Sequence, residues 1–194
     1  VLPSYTLSAV ALPLKKPELY VEAYKAHIDS RQELQGLQAR QGAARKKTGM
    51  DPEMFFENIG ISEIAQASFK VSGNVEKVNL MKVRKPDAIS AGAYPYPGYA
   101  ALVFGNLFTL QDESCCNVIG DWVVTGSPAA IAEFTEEKAL NYTLKEYLAD
   151  AGSADLLAEK PALAVSYISL TEDASYISSA VRKDFADKIA GLYD

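Results

Sequence analysis

The chain has 194 residues, of which 48% are hydrophobic and 23% are charged, and its 19 basic against 25 acidic side chains give a net charge of −6. This composition is typical of a globular protein and excludes a disordered tail. The acidic balance excludes a general nucleic-acid binder, because such proteins need a positive surface.

The N-terminal part of the chain predicts a strand followed by a long helix. Residues 4–12 are rich in Tyr, Thr, Leu and Val, which favour strands. Tyr20, Tyr24 and Ile28 then recur every four residues, as on one face of a helix. This stripe thins over residues 30–48, where Gln, Arg, Lys and Ala dominate. We therefore predict one long N-terminal helix whose second half is either a projecting, solvated helix or a mobile helical arm.

A short helix and a β-hairpin are predicted next. Asp51 supplies an N-cap carboxylate and Pro52 suits the first helical position, while Gly60 suits the end of the helix. Residues 65–71 alternate between apolar and polar, and residues 75–84 form a second such stretch after a Gly-Asn dipeptide. This pattern predicts two antiparallel strands joined by a tight turn.

The middle of the chain predicts a loop and two more strands. Residues 85–98 contain three prolines and two glycines, so we expect a loop. Residues 99–110 and 115–125 are predicted as strands joined by the polar turn at residues 111–114. Ser127, followed by proline, predicts the start of another helix.

The C-terminal part predicts two further helices and a strand. Thr143 and Glu146 have the spacing of a capping box, which opens a helix. A strand is predicted over residues 162–170 after a proline. Residues 177–189 carry large apolar side chains at every fourth position, which is typical of an amphipathic helix.

This order of elements predicts an α+β fold with an antiparallel sheet and helices packed on one face. The four middle strands have connections too short for parallel crossovers. We treat residues 1–194 as a single domain. Residues 3–36 and 161–194 share a proline, a strand, a linker and a helix without any gap. Either this likeness is due to chance, or residue 161 begins a second copy of the same unit.

The adjacent residues Cys115 and Cys116 are the most unusual local feature. Neighbouring side chains on a strand face opposite sides, so the pattern favours ordinary strand residues. The alternative is a hydrolase or thiol enzyme that uses Cys115 or Cys116 as a nucleophile, which requires the fold to bring His27 close. Asp112 and Glu113 would raise a nearby thiol pKa and oppose activation. We therefore lean away from an enzyme and predict no catalytic residue.

Tyr94, Tyr96 and Tyr99 lie among prolines and form the candidate ligand-binding residues of the sequence. One interpretation is a glycan-binding module in which the Tyr94–Tyr99 loop presents an exposed aromatic platform. The favoured interpretation is a loop held to its own domain by tyrosine packing. No metal-ligand spacing or phosphate-binding glycine motif is present, so no metal and no cofactor are predicted. No apolar run reaches the ~18 residues of a membrane span, so an integral membrane domain is not predicted.

Two segments carry a resemblance to a known type of domain. Residues 120–131 form a strand that ends in Gly-Ser before a helix, and residues 144–170 contain a helix, Leu-Ala-Asp, a proline and an apolar strand. Together they resemble uncharacterised repeated α+β domains of exported bacterial envelope proteins. The resemblance implies an exported protein of the cell envelope, periplasm or surface, without an established activity. Our hypothesis is therefore a non-enzymatic domain that binds a partner protein or an envelope component.

Overall fold

The computed structural model describes residues 2–136, 140–151 and 165–168. Its seven strands form one antiparallel sheet in the order β4-β5-β6-β3-β2-β1-β7, which confirms the predicted antiparallel α+β fold. The strands are β1 (Ser8–Pro13), β2 (Ile61–Val71), β3 (Asn74–Val83), β4 (Gly92–Ala93), β5 (Cys115–Ile119), β6 (Trp122–Gly126) and β7 (Val165–Ile168). The helices are α1 (Pro17–Ser30), α2 (Leu34–Thr48), α3 (Pro52–Ile59), α4 (Tyr99–Phe104), α5 (Pro128–Phe134) and α6 (Leu144–Asp150).

Helices α1 to α4 cover one face of the sheet, as the sequence predicts for the helical layer. On that face, Ile64, Met81 and Val123 belong to a core that includes residues of α3 and α4. The short helix α5 is added on the opposite face, where Phe134 packs with the sheet residue Phe69. Both faces of the sheet therefore carry a buried apolar layer.

The single long N-terminal helix of the sequence prediction is not confirmed, because the chain forms two helices there. Gln32 has a φ of 61°, a left-handed conformation that interrupts the helix between α1 and α2. After this turn, Leu37 of α2 is only 1% exposed, and the Gln41 side chain donates hydrogen bonds to Glu53 and to the Leu102 carbonyl. Helix α2 therefore packs on the domain and does not project as an arm.

The strand predicted over residues 99–110 is wrong, because this segment forms helix α4 and a 3-10 turn. Gly98 and Gly105, with φ values of 81° and 109°, bound the helix at its two ends. Tyr99 and Val103 are four residues apart and both are buried on the same side. A short run that is apolar throughout has no periodicity that separates a buried strand from a buried helix.

The strand predicted over residues 115–125 is instead a hairpin of β5 and β6, with Gly120 in the turn. At the end of β6, a Cβ on Gly126 would lie 3.1 Å from Val78 Cγ1 and 3.2 Å from the Lys77 carbonyl oxygen. The tight contacts are with β3, because Ala130 of α5 lies 3.5 Å from the same point, an ordinary van der Waals distance. The absence of a side chain at Gly126 therefore lets the end of β6 lie close against β3.

The capping residues predicted from the sequence are confirmed. Asp51 accepts hydrogen bonds from the backbone of Glu53 and Met54, and Gly60 ends α3 with a φ of 67°. Thr143 and Glu146 form a capping box at α6, and Ser127 caps α5. Local capping chemistry thus sets the start of three helices.

Beyond residue 151, the C-terminal predictions are tested only over residues 165–168. This segment forms β7, which pairs with β1, and so places a strand where residues 162–170 predict one. The final helix over residues 177–189 lies outside the described residues. That residues 161–194 begin a second copy of the unit stays a prediction. Within the described part of the chain, no helix has the length and apolar character needed to cross a membrane.

Candidate binding groove

The three tyrosines of the Tyr94–Tyr99 loop pack towards the core. Tyr94 and Tyr99 are 5% and 1% exposed, and Tyr96 is half-buried with its ring centroid 4.5 Å from that of Phe55. The Tyr99 hydroxyl donates a hydrogen bond of 2.5 Å to the Met50 carbonyl. The fold therefore builds no exposed three-ring platform, and the loop is held to its own domain by tyrosine packing.

A buried polar network surrounds Glu113, which is 6% exposed. Its carboxylate accepts hydrogen bonds from the Gly98 backbone at 2.5 Å, the Thr125 hydroxyl at 2.6 Å and the Asn79 amide at 3.3 Å. The Asn79 side chain also accepts a hydrogen bond from Gln66 at 3.1 Å. Burial raises the pKa of Glu113, and the three donors act in the opposite direction. These contacts tie the loop before β5 to the sheet.

The two cysteines face opposite sides of the sheet, as predicted. Cys116 is buried and its Sγ donates to the Ser90 carbonyl at 3.3 Å, whereas Cys115 is half-buried beside the core of the other face. Burial raises the pKa of the Cys116 thiol, which opposes thiolate formation. His27 is exposed on α1, and no hydrogen bond described for this chain joins its ring to either cysteine. Among the described residues, no cluster of His, Cys, Asp and Glu could hold a metal ion.

A groove of about 360 Å³ lies between α1 and α3. Its volume is near the lower end of the range of ~300–1,000 Å³ for ligand sites, which suits one or two amino-acid side chains. The apolar lining combines buried side chains of α3, β2 and α4 with one half-buried side chain of α1. These residues are Phe56, Ile61, Val103, Phe104 and Val21.

The walls of this groove are charged. They carry Glu18, Glu22, Lys25, Glu53, Glu57 and Arg84. The Lys25 Nζ lies 2.6 Å from the Glu53 carboxylate and joins α1 to α3 across the groove. In the part of the chain that the structure describes, the remaining three glutamates and the arginine have no ion-pair partner within 4.0 Å.

Helical spacing explains how two short segments line one groove. Residues three and four apart share a face, so Glu18, Val21 and Glu22 point the same way from α1. Glu53, Phe56 and Glu57 repeat the same spacing on α3. Sequence reasoning missed the groove because it followed the tyrosine stripe of α1. The acid–apolar–acid spacing was visible, but the pairing of α1 with α3 depends on the tertiary fold.

No protein-family model, curated protein or solved structure matches the chain. The groove between α1 and α3 combines a concave shape with both apolar and charged groups.

Proposed function

We propose that this chain is a non-enzymatic binding domain of an exported bacterial protein in the cell envelope, and that it binds a partner protein. In this proposal, a partner side chain seats in the groove between α1 and α3. The observation that carries the proposal is the apolar floor beneath charged walls, because interfaces concentrate their binding energy where an anchor side chain fills such a concavity.

The walls of the groove are fixed before any partner arrives. The Tyr20 hydroxyl of α1 donates to the Phe104 carbonyl of α4 at 3.0 Å, and Lys25 joins α1 to Glu53 of α3. Glu53 also accepts a hydrogen bond from Gln41 of α2 at 3.1 Å. A preformed groove loses little conformational entropy on binding, so these contacts support a binding role.

The groove also has better support than the two alternatives from the sequence. A thiol enzyme needs an accessible thiol activated by a base, whereas Cys116 is buried with a raised pKa and no hydrogen bond described for this chain joins His27 to Cys115 or Cys116. A glycan platform needs exposed rings, whereas Tyr94 and Tyr99 are buried. The groove needs no rearrangement to accept a side chain.

Site-specific photo-crosslinking in the cell tests the proposal. The photoreactive residue benzoylphenylalanine replaces Glu22 on the groove wall, and the matched control carries it at Asp29, which is exposed on the same helix outside the groove. We expect an adduct from position 22 and not from position 29, with the captured protein identified by mass spectrometry as an exported or envelope protein. Adding Val21→Trp, which fills the groove, should remove most of the adduct.

Two results would contradict the proposed function. One is the absence of any adduct from position 22, and the other is equal capture from positions 22 and 29. Either result would show that a partner, if present, does not contact the groove specifically.

A further inference from the structure

We infer that the partner side chain taken by the groove is cationic, namely a lysine or arginine beside apolar residues of a polypeptide. This inference rests on the proposed function and names the chemistry of its partner. It follows from the way in which the groove separates apolar and charged groups.

The charges that remain after internal pairing favour a cation. Lys25 and Glu53 neutralise each other at 2.6 Å. The walls then present three unpaired carboxylates, Glu18, Glu22 and Glu57, against one unpaired guanidinium, Arg84. A cleft with an excess of one charge attracts the opposite charge and repels its own. The walls therefore attract a lysine or arginine side chain and repel an aspartate or glutamate side chain.

The floor explains why the cation needs a long aliphatic stem. Lysine and arginine bury their methylene groups against apolar surface while the charged head stays near water. Phe56 and Val103 supply such a surface at the bottom of the groove, and Glu22 and Glu57 are exposed on its walls. A small inorganic cation would gain nothing from contact with the apolar floor. A purely apolar side chain would make no ionic interaction with the charged walls.

The position of the head group follows from the helix spacing. Glu22 and Glu57 each lie about one helical turn from the Lys25–Glu53 contact, on opposite walls. Arg84 lies at the Gly60 end, since its Nε is 3.1 Å from the position of a Cβ on Gly60. A cationic head in the groove therefore meets carboxylates on both walls, Glu22 on α1 and Glu57 on α3.

Short peptides titrated into the intact protein test this inference by NMR. The probe is the capped peptide Ser-Leu-Lys-Leu-Ser, and the matched probes carry norleucine or glutamate at the central position. We expect the lysine peptide, at concentrations up to about 5 mM, to shift the amide signals of Val21 and Phe56 and to bind about tenfold more tightly than the norleucine peptide. The glutamate peptide should not bind.

Charge variants of the groove give effects of opposite sign. Glu22→Gln and Glu57→Gln should each lower the affinity for the lysine peptide about two- to fivefold, as expected for exposed ion pairs. Arg84→Gln should raise the affinity for the lysine peptide by a similar factor. The control Asp29→Asn changes the net charge equally but lies outside the groove, so it should leave the affinity unchanged. The affinity of the norleucine peptide should not respond to any of these variants.

Equal affinity for the lysine and norleucine peptides would overturn the cationic assignment, as would the absence of an effect in Glu22→Gln and Glu57→Gln. A titration in which no peptide shifts a groove signal would also overturn it. None of these outcomes decides the proposed function, because crosslinking from position 22 tests contact with a partner whatever its charge.

Discussion

The buried carboxyl group of Glu113 makes the stability of the fold depend on pH. Three donors stabilise its charged form, but burial at 6% exposure has the larger effect and raises its pKa. A carboxyl group whose pKa is higher in the folded state binds its proton more tightly there than in the unfolded chain. Its contribution to stability is therefore complete below the unfolded pKa, and it is lost as the pH rises through the folded pKa.

We predict that Glu113→Gln removes this pH dependence. Relative to the variant, the wild type should lose unfolding free energy as the pH rises from about 4 to 7, by about 1.4 kcal/mol for each unit by which the Glu113 pKa is raised. The glutamine amide also alters the hydrogen bonds at this position, but the resulting change in unfolding free energy does not depend on pH. Urea denaturation across this range measures the difference. A difference that is constant, or that changes in the opposite direction, would contradict the prediction.

Tyr94 and Tyr99 form a matched pair of buried hydroxyl groups. The Tyr94 hydroxyl has no hydrogen-bond partner among the described residues, whereas the Tyr99 hydroxyl bonds to the Met50 carbonyl and contacts Thr48 Oγ1. A buried hydroxyl without a partner costs about 1–3 kcal/mol, and a made hydrogen bond contributes about 1 kcal/mol. The same substitution should therefore have opposite effects at the two positions.

We predict that Tyr94→Phe leaves the unfolding free energy unchanged or raises it by up to about 1 kcal/mol, and that Tyr99→Phe lowers it by about 1 kcal/mol. Chemical denaturation of the two variants at one pH measures both changes. Equal destabilisation by both substitutions would show that Tyr94 has a partner after all.

At the scale of the element, helix α3 depends on one residue outside it. The eight-residue helix begins at Pro52, and the Asp51 carboxylate accepts hydrogen bonds from the backbone of Glu53 at 3.0 Å and Met54 at 3.4 Å. An isolated helix of this length is not stable in water, so the cap and the buried face hold it together. Because α3 forms one wall of the groove, the cap also supports the proposed site.

We predict that Asp51→Ala lowers the unfolding free energy by about 1 kcal/mol, the usual cost of losing an N-cap. Asp51→Asn is the matched control, because asparagine caps helices about as well and should recover most of the loss. Thermal or urea unfolding of the two variants measures the difference. Similar destabilisation by alanine and asparagine would indicate that the negative charge, and not the hydrogen bonds, is the important property.

The elements that sequence reasoning predicted well are those with local signals. The cap at Asp51, the capping box at Thr143 and the alternation over residues 65–71 depend on neighbours in the chain, and all three are confirmed. The errors occurred where local signals are ambiguous. The strand predicted over residues 99–110 begins with an apolar run at residues 99–104 that forms helix α4, and the break at Gln32 has no glycine or proline to mark it.

At the scale of the whole molecule, the two faces of the sheet carry different structures. One face carries helices α1 to α4 and the groove, and the other carries α5 against an apolar layer. The antiparallel α+β class was predictable from strand lengths and short connections. The groove was not, because it needs Glu18 and Glu57 on one concave surface, and only the tertiary fold brings α1 to α3. The tyrosines were visible in the sequence, but their burial was not.

The buried polar network has a consequence for folding. Gln66, Asn79 and Thr125 lie side by side on β2, β3 and β6, and all three point into the helical layer. If one strand slipped by a single residue, its polar side chain would turn to the opposite, apolar face, and Glu113 or a neighbour would lose a donor. Each orphaned group would cost about 1–3 kcal/mol. This row of polar side chains therefore favours the native register of β2, β3 and β6 over registers shifted by one residue.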